Sequence, residues 1–295
     1  MKFITTVVFY FYLLSLFGQQ AYTDKEGRQH LWGTIEIDQL HEEPFQEWYL
    51  QNFKDQTTEL NFSEVAQLKN VTVKIFIGTW CGDTKYLLPR FIKTWTDVGL
   101  STDQLELIAL HHEGDLYKQA PSDIAKQYSI HRVPTFVFEE NGKEINRIIE
   151  RTVFDLDTDL KAIANNFPYQ PRYKAVQEIQ TFLNETTKDS LLTKTSLDEG
   201  INLIRREVLS SSELNTYGYV LKASGEMQKA EFIFKLNRYL FPYNPNIRDS
   251  YGEILLENNK LEHAQTEYYE ALRIKQTDQH IIRQLAQIDE RIQKK

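Results

Sequence analysis

The sequence predicts an α/β domain followed by an all-α domain of repeated helices, and three observations carry that prediction. β-Branched and apolar runs at Val71–Ile77, Leu105–Leu110 and Thr135–Phe138 alternate with helical stretches. Two prolines, Pro168 and Pro171, then interrupt the chain, and everything beyond them reads helical. That second half also repeats itself at a displacement of 34 residues. A length of 295 residues suits about two domains.

The chain opens differently. Met1-Lys2 precedes an apolar run from Phe3 to Phe17, and Gly18-Gln19-Gln20-Ala21 follows. A basic start, a run too short to span a bilayer and small residues after it predict a signal peptide over residues 1–21. Cleavage is expected after Gly18 or Ala21. The mature protein is therefore expected to be exported, periplasmic or secreted, with no membrane contact afterwards.

Residues 22–69 read as an N-terminal extension packed on the core, with a strand at Leu31–Ile37 and helices at Phe45–Phe53 and Phe62–Leu68. The α/β domain, residues 70–166, begins with the strand Val71–Ile77 and a helix over about Thr84–Val98. The strand at Leu105–Leu110 follows, then a short helix over Ser122–Tyr128, capped by Ser122. The strands Thr135–Phe138 and Glu144–Ile149 flank Asn141-Gly142, a strong hairpin signal. A helix near Asp155–Asn165 closes the domain.

In the helical domain, residues 172–295, Tyr217-Gly218 recurs as Tyr251-Gly252, Leu221 as Leu255, Ala230 as Ala264 and Phe234 as Tyr268. Small residues let paired helices approach, and the aromatic fills the space behind them. This pattern resembles the tetratricopeptide repeat. Pro242 ends the first unit, and Gln276 takes the matching place in the second. Helices near Tyr173–Leu183, Leu197–Leu209 and Asp278–Ile292 are expected to cover the open faces.

A formal charge of −8 without any basic run excludes a dedicated nucleic-acid binder. Cys81 is the single cysteine, so no intramolecular disulfide exists. The segment Val71–Pro89, with Trp80-Cys81-Gly82-Asp83-Thr84 between strand and helix, and the distant Arg132-Val133-Pro134-Thr135 resemble the thioredoxin family. The resemblance covers about residues 70–165. It implies a thioredoxin-like fold, Cys81 as nucleophile, Pro89 within the active-site helix, and a cis Pro134 facing the sulfur. Val133 and Pro134 would hold substrate, and Trp80, Gly82, Asp83, Thr84 and Arg132 would surround the thiol.

Physical chemistry supports a reactive thiol at that position. A helix N-terminus presents unsatisfied N–H groups and the positive end of the dipole, which favour thiolate. Cations from His131 and Arg132 are expected to push the same way, and Asp83 to oppose them. Two departures from the family follow. Thr84 stands where the resolving cysteine belongs, its hydroxyl expected to bond the Cys81 sulfur. Ile75 replaces the buried acid that many thioredoxins carry.

What remains is monothiol exchange on protein or low-molecular-weight disulfides, with the helical repeat expected to recruit a protein partner. A non-catalytic, protein-binding scaffold is the alternative. No cofactor is expected. His111-His112 invites a metal reading, but neighbours on a strand point apart and no ligand spacing supports it, so no metal is expected.

Overall fold

A computed structural model describes residues 20–294, so the signal-peptide reading of residues 1–19 lies outside the described residues. Six strands form one mixed sheet in the order β1-β2-β4-β3-β5-β6. They are β1 Gln20–Thr23, β2 Gln29–Ile35, β3 Val71–Ile77, β4 Leu105–Ala109, β5 Thr135–Glu140 and β6 Lys143–Ile149. β3 runs parallel to β4 and antiparallel to β5. The extension does more than pack on this core. β2 adds antiparallel to β4, and β1, absent from the sequence reading, pairs with β2. The expected boundary at residue 21 thus falls inside β1.

Alternation along β3 explains the layers. Val71, Val73, Ile75 and Ile77 are buried against α1 (Gln46–Lys54), α3 (Gly82–Asp97) and α5 (Leu156–Ala164), together with Phe91, Trp95, Phe136 and Phe138. Each such side chain contributes about 1.5–3 kcal/mol on burial. Phe76 points the other way, into a smaller cluster with Ile108, Leu110, Ile130, Val133 and Val137. The hairpin turn at Asn141-Gly142 takes positive φ at both residues, as a type I′ turn requires.

Two short helices complete this half. α2 (Phe62–Val65) is followed by a 3₁₀ turn at Ala66–Asn70. α4 (Ile124–Gln127) starts from Asp123 rather than Ser122, and Asp123 makes no side-chain cap.

Beyond residue 172 lie α6 (Lys174–Glu185), α7 (Lys188–Leu191), α8 (Lys194–Ile204), α9 (Ser211–Ala223), α10 (Met227–Leu240), α11 (Pro245–Glu257), α12 (Leu261–Ile274) and α13 (Gln279–Gln293). The repeat is visible as packing. A Cβ on Gly218 would lie 2.8 Å from the Phe234 ring, and one on Gly252 would lie 3.0 Å from the Tyr268 ring. The glycine of each first helix therefore receives the aromatic of its partner, in α9–α10 and again in α11–α12. Ile281, Leu285 and Ile288 seal one end, and α6 with α8 seal the other. Among the described residues no helix is long and apolar enough to cross a membrane.

Candidate functional site

Cys81 occupies the N-cap position of α3, with extended backbone (φ −86°, ψ 127°). Its N–H donates to Gly78 O at 2.8 Å, and its carbonyl accepts from Lys85 N at 3.1 Å, so the turn that presents it is held at both ends. The sulfur is partly buried and lies 3.3 Å from Val133 O, to which the thiol donates. The Val133–Pro134 peptide bond is cis. Sulfur, helix opening and proline loop are thus brought together.

The neighbours divide. Trp80 folds back against the sheet: its indole N–H donates to Leu110 O at 2.9 Å, and its ring stacks on His112 at 5.3 Å. Gly78 permits this, because a Cβ there would sit 2.4 Å from the indole. Gly82 has open space where a side chain would project, leaving the mouth of the site bare. Asp83 is paired with Arg151 at 2.8 Å, so its charge beside the thiol is matched.

Three expectations are corrected. Thr84 is fully buried and its hydroxyl accepts from Gly78 N at 3.3 Å; it serves the turn, not the sulfur. Arg132 turns from the thiol to Glu150 (3.2 Å) and Ser212 O (3.0 Å), with its guanidinium 4.9 Å from the centre of the Tyr173 ring. Tyr173 donates to the same Glu150. His131 supplies no cation: burial, reinforced by Arg132 and Lys118, holds its pKa well below the ordinary range. Its ring lies edge-on to Tyr173 and Tyr217.

Comparison with known proteins agrees with this geometry. The thioredoxin family model matches residues 53–162. Thioredoxin-1 of Schizosaccharomyces pombe is 30% identical over 106 residues, which cover 34% of this chain and 86% of the relative. The chain belongs to the thioredoxin family. Thioredoxin H-type of Picea mariana is similar at 26% identity over 101 residues, 34% of this chain and 73% of the relative. TPR repeat-containing thioredoxin TDX of Arabidopsis thaliana is 28% identical over 95 residues, 32% of this chain and only 22% of the relative. This is a thioredoxin-family, thiol-redox type of protein carrying helical repeats.

Sequence reasoning missed what the repeats do to the thioredoxin domain. Gln180 of α6 donates to Ser129 O at 3.1 Å, Lys126 pairs with Glu226 at 2.6 Å, and Arg132 reaches Ser212 at the start of α9. The proline loop is therefore a site wall on one face and a docking surface on the other.

Lys118 was missed as well. It is buried in left-handed backbone, and its ammonium donates to His131 O at 3.0 Å. Burial and Arg132 pull its pKa down to about 8, while Cys81 and Glu150 oppose the shift. No local pattern marks Lys118, because its neighbours come from loops far apart in sequence.

From Asp83, two residues after Cys81, an open cleft of about 370 Å³ extends along Tyr86, Glu150, Arg151, Phe154 and Arg172.

Proposed function

We propose that this protein carries out monothiol exchange through Cys81 on disulfides of proteins or small thiols. The observation that carries this reading is the partly buried sulfur at the start of α3, opposite the cis Val133–Pro134 bond. Deprotonated Cys81 attacks one sulfur of a substrate disulfide. A bond forms between Cys81 and that sulfur, the other leaves as thiolate and takes a proton, and an external thiol such as glutathione then releases Cys81. With Thr84 buried and facing Gly78, the chain supplies no resolving thiol of its own. The opening of α3 offers the charge stabilisation, and Lys118 donates to His131 O on the loop that faces the sulfur.

The substrate chain would run along the cleft between Asp83 and Phe154, where exposed Tyr86 and Phe154 offer apolar contact. A protein partner would bind the inner face of the repeats. Tyr219 and Lys222 of α9 and Glu253 of α11 line a hollow of about 340 Å³ together with Gly114, Asp115 and Tyr117. Export is part of the proposal and rests on the apolar run before Gly18. Cleavage after Gly18 would keep β1 whole, and N-terminal sequencing of the mature chain tests that.

The deciding experiment is turnover of a mixed disulfide with added glutathione by wild type and Cys81→Ser. Wild type is expected to accelerate release and the variant to match the uncatalysed rate. Equal rates would remove the thiol from the mechanism. They would favour the scaffold reading, which draws on the docking of the repeats against the proline loop.

A further inference from the structure

The β1–β2 hairpin carries a cluster that the thiol chemistry does not use. Asp24 follows β1, His30 lies on β2, and His112 follows the end of β4. Asp24 and His30 precede the segment matched by the family model. One potential ligand atom from each of the three lies within 4.8 Å of the others. Asp24 and His30 are buried, His112 partly so, which sets the group apart from a chance surface cluster.

The hydrogen bonds orient both imidazoles. His30 Nδ1 lies 3.3 Å from the Thr79 hydroxyl, which also accepts from Leu31 N. His112 Nδ1 lies 2.7 Å from the Tyr22 hydroxyl. With each Nδ1 turned to a hydroxyl, Nε2 is the nitrogen of each ring that faces away from it. His30 Nε2 is 3.1 Å from Asp24 Oδ2, the spacing of neighbouring ligands around one ion whose bonds are about 2.0–2.2 Å long. His112 Nε2 is 3.5 Å from Glu113 Oε1, an oxygen within reach as a fourth ligand. Metal-binding histidines are held in this way, by a partner on the ring nitrogen away from the ion.

Protonation states agree with that arrangement. Burial lowers the pKa of His30 and His112, which favours the neutral ring that a metal ion takes as ligand. Burial disfavours the Asp24 carboxylate, but Arg28, through its backbone N–H and its side chain, and His30 outweigh it, so the group is ionised.

We propose that Asp24, His30 and His112 form a site for one divalent first-row transition ion, with Glu113 or water completing its shell. Two imidazoles and a carboxylate suit such an ion and are a poor set for calcium or magnesium. Binding through Nε2 requires each ring to carry its proton on Nδ1, where it is donated to the hydroxyl oxygen of Thr79 or Tyr22. Arg28, whose exposed guanidinium meets Asp24 Oδ2 at 2.6 Å, gives up that oxygen and keeps Glu26 as its partner. The ion would fasten the β1–β2 hairpin to the end of β4, behind the Trp80 ring that stacks on His112.

The test uses the full mature chain without a histidine tag, stripped with chelator and titrated with Zn²⁺ against a chromophoric competitor. Saturation at one ion per chain is expected. His30→Ala and His112→Ala should each weaken binding at least about 10-fold, and Tyr22→Phe about 10-fold, while Cys81→Ser binds as wild type does. Co²⁺-loaded wild type, which needs no variant to fold, should show nitrogen and oxygen ligation with no thiolate charge-transfer band. Any of three results would overturn the site: no stoichiometric binding, undiminished affinity in both histidine variants, or a thiolate band that moves the ion to Cys81.

Discussion

The two faces of the proline loop are built differently although they share four residues. On the side of Cys81, Val133 O accepts from the thiol, Gly82 adds no side chain, and Asp83 meets Arg151 near the surface. Facing the repeats, His131 and Arg132 are packed against Tyr173, Tyr217 and Ser212, with Lys118 buried beneath. A loop usually gains its freedom from having one face in water. This one is tied to the thiol on one side and to the helical domain on the other, so its position is held from both.

The sharpest way to break that comparison is to disturb the repeat from within. Gly218→Leu drives a side chain into the buried Phe234 ring and should cost about 3 kcal/mol in urea unfolding. Gly82→Ala, on the open face with nothing within 4 Å, should stay within about 0.5 kcal/mol. Similar losses at both positions would mean that the two faces are not distinct.

Arg132→Gln should cost about 1.5–3 kcal/mol, since it removes charged hydrogen bonds to Glu150 and Ser212. Limited proteolysis should then find the 166–172 connection more readily than in wild type. An unchanged digestion pattern would show that the clamp does not depend on this residue.

The buried bases make the clamped face sensitive to pH. Below about pH 6.5 the unfolded chain protonates His131 while the folded chain, with Lys118 and Arg132 close by, resists, so stability is lost as pH falls. One such group contributes at most about 1.4 kcal/mol per pH unit. His30, His111 and His112 act in the same direction, so His131→Phe should flatten the acid limb only in part. Between about pH 8 and 10.5 the unfolded chain keeps the Lys118 proton that the folded chain gives up. Stability should rise through that window, and Lys118→Met should abolish the rise.

A small effect is also expected from the ion pair on the open face. Arg151→Ala removes an exposed partner of Asp83 and should cost under about 1 kcal/mol, with the change suppressed by salt.

Several features were legible because their cause is local. A β-branched run makes β3, Asn141-Gly142 turns the chain, and Tyr-Gly with an aromatic at a fixed spacing makes a helix pair. The position of Cys81 at the start of α3 belongs with these. What surrounds the sulfur does not. Arg132 was expected beside the thiol on sequence proximity to Pro134, yet Glu150, Tyr173 and Ser212 compete for it more effectively. The place of Thr84 in the motif points to the sulfur, but its hydroxyl accepts from Gly78 N instead. His111 and His112 lie past the end of β4, where strand alternation no longer applies, and both rings lie near Tyr22.

By itself the sequence determined two folded halves, the helical pairing and the placement of one thiol at a helix start, all set by backbone preference and short-range periodicity. The tertiary structure alone decided which charges meet that thiol, which face of the proline loop is sealed, and that Asp24, His30 and His112 converge. Those outcomes depend on contacts between different elements and loops, Arg132 with Ser212 and His112 with Asp24 and His30 among them, where burial and competition for hydrogen-bond partners choose among side chains that no local pattern distinguishes.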